Sequence, residues 1–204
     1  MFAYTFGSLK ARIRKVLDRQ DISDDDLQFG IYTAFQRIQR VTRLPSMEVS
    51  QTFTQPAGQD WITVYDNLLE LKHVLVDAGP LQRKSLDWVV TQPAMGGTPK
   101  YFARADQIWQ IYPVPEVDTE FTIIYYAEWD KLISDSAYNN LVIVAFDVLL
   151  YGALSTLGED YVDERVPRWE ERFQQEVAEL AIQASTMEFA GSEMQVLPPE
   201  GSVY

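Results

Sequence analysis

The chain has 204 residues, of which 47% are hydrophobic and 23% are charged, and it contains no cysteine. This composition predicts a folded globular domain with a sizeable core, and it excludes disulfides, thiolate metal ligands and cysteine nucleophiles. The formal net charge of −13 argues against tight binding of duplex DNA over the whole surface, because contacts with phosphate need cationic side chains.

The charge is unevenly distributed along the chain. Residues 1–45 contain eight Lys or Arg and five Asp or Glu, a net charge of +3, whereas the remaining 159 residues have a net charge of −16. Opposite charges on two parts of one molecule favour contacts between copies or with an acidic partner. We therefore expect the N-terminal segment to meet an acidic surface of another chain.

Two amphipathic helices are predicted near the N terminus, at residues 6–19 and 23–43, because apolar residues recur there every three or four positions. Ser23 is expected to be the N-cap of the second helix, with Asp26 three residues further on, and Pro45 follows the helix end. The first residues lack a basic stretch followed by a long apolar run, so no signal peptide is expected.

Three arginines, Arg37, Arg40 and Arg43, follow the polar side of the second predicted helix. One interpretation is a solvated helix face, and the other is a docking surface for an acidic neighbour. Charge alone does not distinguish them, so both stay open.

Residues 48–132 are predicted to form an antiparallel, β-rich insertion, because short apolar segments are separated by Gly and Pro turns. Residues 67–71 are expected to form one helical turn, and Ser85 is expected to cap a short helix. Pro113 and Pro115 should interrupt strand pairing, because proline has no amide hydrogen to donate. The expected strands are 48–55, 61–65, 72–78, 100–105, 108–112 and 120–126.

Two further helices are predicted at residues 140–158 and 164–190. The first is apolar on nearly all sides and should lie centrally among the helices. Its apolar run is short for a bilayer span and has Asp147 near its centre, so a membrane helix is not expected. The second has a single apolar seam, which is typical of a helix that packs on one neighbour.

The last segment, residues 191–204, is predicted to be an extended docking tail. Two prolines and Gly201 oppose a regular helix or strand through it. A free tail is normally more polar than this one, which favours docking on a partner. The residues expected to make that contact are Met194, Val196, Leu197, Pro198, Pro199, Val203 and Tyr204.

No residue is predicted to be catalytic, to bind a cofactor or to bind a metal. His73 is the single histidine and lies in a predicted strand without a nucleophile motif, so a structural role is expected. The acids at positions 159, 160, 163 and 164 favour a helix end over a hard-cation site, because their spacing shows no convergence. A pair of catalytic carboxylates stays open as an alternative, since the sequence selects no pair among its thirty acids.

Four short motifs follow one another through the chain, after the two N-terminal helices and before the long final helix. They are Gly97-x-Pro99-x-Tyr101-Phe102-Ala103, Ile111-x-Pro113-x-Pro115, Tyr125-Tyr126 and Leu149-Leu150-Tyr151-Gly152-Ala153. In this order they resemble the head-to-tail adaptor, or connector, proteins of tailed bacteriophages. The sequence departs from the family at Gln107, where such hairpins favour Gly.

The resemblance implies an α+β fold, with a bundle of two N-terminal and two C-terminal helices, a central antiparallel β-rich insertion and an extended C-terminal tail. It implies one adaptor domain, residues 1–190, followed by the tail. Proteins of this family form rings, typically of twelve copies, beneath the portal protein. DNA leaves the head through the ring axis without sequence-specific binding. The implied location is the head–tail interface of the virion, after assembly in the host cytoplasm.

The implied partners are the portal protein, other copies of the chain and the next tail or nozzle protein, with no membrane, no cofactor and no enzymatic activity. Residues 188–204 would reach onto the portal. The residues expected at an interface with another subunit or partner are Arg37, Arg40, Arg43, Trp109, Tyr112 and Tyr126. Two alternatives stay open: a tail-tube or tail-terminator component, and a cell-wall hydrolase with a carboxylate pair.

Overall fold

The structure of the protein, a computed structural model, describes residues 4–77 and 79–189. It contains both helices and sheets, which confirms the predicted α+β class. The described chain divides into two compact units. The first comprises the described residues up to Pro45 and from Ile133 onwards and is helical. The second, Ser46–Leu132, contains the described strands and one short helix.

Six α-helices occur in the described residues: α1, Phe6–Leu17; α2, Asp24–Val41; α3, Leu86–Val90; α4, Asn140–Val144; α5, Phe146–Asp160; and α6, Val166–Phe189. Helices α1, α2 and α6 begin and end within two residues of the ranges expected from apolar periodicity. The apolar periodicity therefore predicted these three helices correctly. The predicted and observed helices differ mainly in the apolar segment that precedes α6.

Side-chain caps determine where the first helices begin. Thr5 and Ser8 form a capping box, in which Thr5 Oγ1 accepts from the Ser8 amide at 3.2 Å and Ser8 Oγ accepts from the Thr5 amide at 3.0 Å. Ser23 Oγ accepts from the Asp26 amide at 3.1 Å, which confirms the predicted N-cap of α2. Each cap satisfies an amide that the helix itself cannot bond.

The apolar segment predicted as one helix over 140–158 is instead two helices, α4 and α5, separated at Ala145. This residue has φ −136° and ψ 41°, outside the helical region, although its amide still donates to the Leu141 carbonyl at 2.8 Å. Hydrophobic residues continue on both sides of the break. Periodicity in the sequence therefore does not reveal it.

Helix α5 is the central element of the first unit, and α1, α2, α4 and α6 all contact it. It is apolar on nearly all of its surface, which is typical of a helix that is surrounded by others. Its fully buried residues include Leu149, Ala153, Leu154 and Leu157. Helix α5 therefore forms the centre of the core of this unit.

Two glycines allow neighbouring helices to approach α5 closely. A Cβ atom on Gly152 would lie 2.7 Å from a ring carbon of Phe173 in α6 and 2.8 Å from Cβ of Ala34 in α2. A Cβ atom on Gly30 in α2 would lie 2.7 Å from Cγ of Leu157. A densely packed interior does not accommodate carbon atoms this close together, so the packing depends on glycine at both positions.

The second unit consists of two four-stranded sheets. Its strands are β1, Glu48–Gln55; β2, Trp61–Thr63; β3, Leu68–Val76; β4, Gly79–Pro80; β5, Gln82–Arg83; β6, Tyr101–Ala105; β7, Ile108–Tyr112; and β8, Thr119–Ala127. One sheet has the order β1-β8-β3-β4 and the other has the order β2-β7-β6-β5. Neighbouring strands are antiparallel except β5 and β6, which are parallel.

The expectation of a helical turn at residues 67–71 is wrong, because this segment contains the beginning of β3. Leu68 pairs with Ala127, and Val76, at the other end of β3, pairs with Phe121 of the long strand β8. The preference of a short segment for helix or strand depends strongly on its neighbours in the fold. A five-residue window contains no information about this distant partner strand.

Residues from both sheets pack into one hydrophobic cluster. Trp109 and Ile111 come from β7, whereas Phe121, Ile123 and Tyr125 come from β8. All five are at most 2% exposed. The predicted placement of Phe121, Ile123 and Tyr125 on one face of a strand is confirmed, and this face lies against the other sheet.

The hairpin between β6 and β7 turns at Asp106 and Gln107, as predicted, although neither residue is Gly. Asp106 has φ 54°, in the left-handed region that Asp tolerates better than most residues. Arg104 Nε donates to the carbonyl of Asp106 at 3.1 Å and supports the turn. The departure from the family pattern at Gln107 is therefore compatible with a hairpin.

Replacing Gly152 with Val should lower the free energy of unfolding by about 1–3 kcal/mol, because the added side chain would overlap Phe173 and Ala34 in a packed core. Urea titration followed by circular dichroism measures this difference. Ala178→Val, on the exposed face of α6, is the matched control because it adds a branched side chain without overlap. A Gly152→Val protein as stable as this control would contradict the close packing at α5.

Candidate functional site

Arg37, the first arginine of the predicted interface, binds residues of α6 in the same chain. Its guanidinium forms an ion pair with Glu170 and lies 4.2 Å from the centroid of the Phe173 ring. The Arg37 side chain is 26% exposed. These contacts hold α2 against α6. The charge of Arg37 is therefore balanced by Glu170 in the same unit, whereas the sequence-based expectation placed Arg37 at an interface with another subunit or partner.

Glu170 accepts hydrogen bonds from three side chains. Besides Arg37, Ser155 Oγ donates to Glu170 Oε2 at 2.6 Å and Gln174 Nε2 donates to Oε1 at 2.7 Å. Desolvation by burial raises the pKa of Glu170, but the three hydrogen bonds and the charge of Arg37 together lower it to about 2. The carboxylate is therefore ionised at neutral pH and is not suited to donate a proton.

The other two arginines of the predicted interface differ in their surroundings. The Arg43 guanidinium donates to the carbonyl of Gln39 and, at 2.8 Å, to the carbonyl of Thr42, so it satisfies acceptors at the end of α2. Arg40 is exposed, and its side chain has no hydrogen bond or ion pair within residues 4–77 and 79–189. Arg40 thus keeps its charge available to a partner, and that role stays a prediction.

The three aromatic residues expected at an interface lie in the sheet unit. Trp109 is 2% exposed and Tyr126 is 4% exposed, so both fill the interior and leave almost no surface for a second chain, which corrects that expectation. Tyr112 is half-buried, its hydroxyl lies 3.7 Å from Met95 Sδ, and its ring meets Trp88 edge-on. Contact of Tyr112 with a neighbour stays a prediction.

The residues predicted to contact the portal all lie outside the described part of the chain, which ends at Phe189 in α6. They are Met194, Val196, Leu197, Pro198, Pro199, Val203 and Tyr204. The extended docking tail, residues 191–204, therefore stays a prediction.

Sequence reasoning did not assign a group of arginines that lines a cavity of about 240 Å³ in the first unit. Arg12 belongs to α1, and Arg165, Arg168 and Arg172 lie at or near the start of α6. The last three are all of the Lys and Arg residues in positions 133–204. The cavity, termed the arginine groove, is lined by Arg12, Val16, Leu150, Tyr151, Leu154, Arg165, Arg168, Trp169 and Arg172.

The spacing of the arginines explains why they converge. Arg165, Arg168 and Arg172 are three and four positions apart, so they project from one side of the start of α6. This signal is visible in the sequence, but only the fold shows that α1 adds Arg12. The accessible apolar lining forms a floor beneath the charged rim: Leu150 and Trp169 are 7% and 6% exposed, and Val16 and Tyr151 are half-buried.

The arginines of the rim are engaged to different degrees. Arg165 binds Asp163 through two hydrogen bonds of 2.9 and 2.6 Å and lies 4.7 Å from the centroid of the Trp169 ring. Hydrogen bonding to Arg165 is the largest cause that lowers the pKa of Asp163. This charge is therefore already balanced, in agreement with a helix-end role for the acids around position 163.

The remaining arginines of the rim have no acidic hydrogen-bond partner among the described residues. Arg172 Nη1 donates to the neutral hydroxyl of Tyr151 at 2.7 Å. Arg12 and Arg168 are exposed, and neither side chain has a hydrogen bond or ion pair within the part of the chain that the structure describes. The groove is thus a positively charged site in a negatively charged protein, and it is suited to bind carboxylates.

Another carboxylate of α6 has its pKa shifted in the opposite direction to that of Glu170. Burial, followed by the negative charges of Asp147 and Glu179, raises the pKa of Glu176 in α6. None of these residues lines the arginine groove.

No cluster of three or more His, Asp or Glu that could hold a metal ion occurs in the described ranges. His73 is exposed on β3. None of the described helices is long and apolar enough to cross a membrane.

The described chain combines a helical unit with a unit of two sheets. A model of the SU10 adaptor protein family matches residues 4–195, nearly the whole chain. The protein belongs to this family of phage adaptor proteins, so the resemblance seen in the sequence is confirmed. A search of curated proteins found no match.

Glu170→Gln should lower the free energy of unfolding at pH 7 by about 1–2 kcal/mol. This is less than the free energy to which the full pKa shift corresponds, because the Glu170 side chain is 35% exposed and solvent screens its charge. The pKa of Glu170 is lower in the folded than in the unfolded protein. Its ionised form therefore stabilises the fold above the ordinary value of 4.5, and this contribution is lost as the pH falls towards 2.

Urea titrations of the parent and the Glu170→Gln variant at pH 7, 4 and 3 measure this effect, and the difference between them should shrink as the pH falls. Glu171→Gln, on the exposed side of α6, is the matched control and should leave stability nearly unchanged. A Glu170→Gln protein as stable as this control, or a difference that is independent of pH, would contradict the role of the ion pair.

Proposed function

We propose that the protein is a structural adaptor of a tailed-phage virion, which forms a ring beneath the portal, joins the portal to the tail and continues the channel for DNA. The observation that carries this proposal is the family match over residues 4–195. The family is one of structural phage adaptors, which interact with portal and tail components. A ring of twelve copies follows from the resemblance to connector proteins.

The charge of the chain supports a role around moving DNA. The net charge is −13, so the protein as a whole repels the phosphate backbone. A strongly basic wall would instead bind phosphates and slow the passage of DNA. The proposed role accordingly includes transient passage of duplex DNA and no sequence-specific binding.

The proposal includes no catalytic step, and two alternatives are distinguished by experiment. Activity on peptidoglycan that the Glu176→Gln variant loses would favour a cell-wall hydrolase. Binding to tail-tube protein, with no binding to the portal, would favour a tail-tube or tail-terminator component.

The ring itself is tested by native mass spectrometry of the purified chain together with the portal, since adaptors of this kind can be monomeric before they dock. A persistent monomer without affinity for the portal would contradict the proposal.

The C-terminal tail, residues 191–204, is the segment that we assign to the portal contact. It combines apolar residues such as Val196 and Leu197 with the Pro198-Pro199 pair. Burying such an apolar segment on a partner removes apolar surface from water and contributes affinity.

Deleting Ser192–Tyr204 should abolish binding to the portal, because the deletion removes the apolar docking residues, while the helical core stays folded. Val196→Asp combined with Leu197→Asp should weaken binding about tenfold or more. Ser192→Asp combined with Ser202→Asp is the matched control, since it adds the same charge at polar positions. Biolayer interferometry with immobilised portal measures these affinities. Unchanged binding after the deletion would contradict the role of the tail.

A further inference from the structure

Two surfaces of this chain are chemically complementary. The first is the arginine groove, in which buried apolar side chains form the floor and guanidinium groups form the rim. Two of its arginines, Arg12 and Arg168, have no side-chain partner among the described residues. A concave apolar floor with free cations around it suits an apolar side chain that lies between two carboxylates.

The second surface is the loop Glu116-Val117-Asp118, which immediately precedes β8 and is termed the acidic loop. All three residues are exposed, and the Val117 side chain is 70% exposed. An apolar side chain therefore stands in water between two carboxylates. Burying Val117 in a partner would be favourable, because apolar surface would be removed from water.

Hydrogen bonds hold the acidic loop in place. The Gly58 amide donates to the carbonyl of Pro115 at 2.7 Å, just before the loop. The Ala57 amide donates to Asp118 Oδ1 at 3.0 Å, at its end. A loop that is already ordered loses little conformational entropy on binding, so it is well suited to insert into a groove.

We propose that the arginine groove of one copy receives the acidic loop of a neighbouring copy. Val117 would lie on the apolar floor, and Glu116 and Asp118 would bind the guanidinium groups of Arg12 and Arg168. This inference deepens the proposed function and rests on it in one respect, namely that copies of the chain assemble side by side.

Other exposed apolar residues fit the groove less well. Val162 and Ile133 are each 88% exposed. However, the nearby acids Asp163 and Asp135 form ion pairs within their own chain. The two acids of the acidic loop form no ion pair among the described residues, so their charge is available to another molecule.

A ring of identical copies needs a contact between two different surfaces of the chain. The groove and the loop are different surfaces of one chain, so the contact is heterologous, and each copy can donate its loop and accept another. Repetition of such a contact closes into a ring when the rotation between copies divides a full turn. The groove is small compared with a stable protein interface, so the loop acts as one anchor within a larger contact.

Disulfide trapping tests the contact, because the chain has no cysteine of its own. One chain carries Val117→Cys, a second, size-tagged chain carries Arg168→Cys, and the two are mixed with the portal before oxidation, because copies can be monomeric until they dock. A disulfide requires the two Cα atoms to lie within about 7 Å, so mild oxidation should join the two chains only if the loop enters the groove. The matched control replaces Arg168→Cys with Ile182→Cys, which is 66% exposed and about 21 Å further along α6.

The expected result is a mixed 117–168 dimer on a non-reducing gel and no mixed dimer with the control. Native mass spectrometry of the parent chain with the portal, run in parallel, reports ring formation independently. Rings without the 117–168 disulfide would overturn this inference and leave the proposed function standing. Absence of both rings and disulfide would overturn both, whereas the disulfide without rings would support the contact and contradict the ring.

Charge reversal tests which forces hold the contact. Adding Arg12→Glu to the Arg168→Cys chain should reduce the disulfide yield about tenfold, because a charge-assisted bond is replaced by repulsion. Adding Glu116→Lys to the Val117→Cys chain should then restore the yield. Arg40→Glu is the matched control, since Arg40 is an exposed arginine outside the groove. An equal loss with Arg40→Glu, or no rescue by Glu116→Lys, would overturn the assignment.

Discussion

Close packing on α5 is the constraint on which the rest of the helical unit depends. Because α5 is apolar on nearly all sides, α1, α2 and α6 have to cover it, and Gly30 and Gly152 determine how closely they approach. The same packing brings Arg37 of α2 within reach of Glu170 in α6. It also places α1 beside the start of α6, which forms the arginine groove. The ion pair and the groove are therefore consequences of one packing arrangement.

The basic residues of the first unit have separate roles despite their similar chemistry. Lys10, only 8% exposed, binds Asp24 and Asp135 and ties α1 to two other segments. Arg37 joins α2 to α6. Arg12 and Arg168 of the groove have no side-chain partner among the described residues and remain open to another molecule. Part of the positive charge of residues 1–45 is therefore balanced within the chain, and the free charge of the groove comes from Arg12 in α1 and Arg168 in α6.

Features that depend on local sequence were predictable. The Ser23 cap and the strand at 48–55 follow from residue type and alternation over a few positions. Features that depend on distant partners were not: β3 extends through residues 68–71 because β8 pairs with it, and Arg37 meets Glu170 across 133 positions. The burial of Trp109 was also not predicted. The sequence pattern of an aromatic residue in a strand is the same whether the residue packs on a second sheet of its own chain or on a second molecule.

The central claim is that this member of a phage adaptor family forms a ring between the portal and the tail. A cryo-electron microscopy map of the portal with the bound protein tests this claim most directly. The account predicts a closed ring of identical copies that is coaxial with the portal, with residues 191–204 of each copy in contact with the portal. Copies bound singly without contact to one another, or C-terminal segments directed away from the portal, would contradict it.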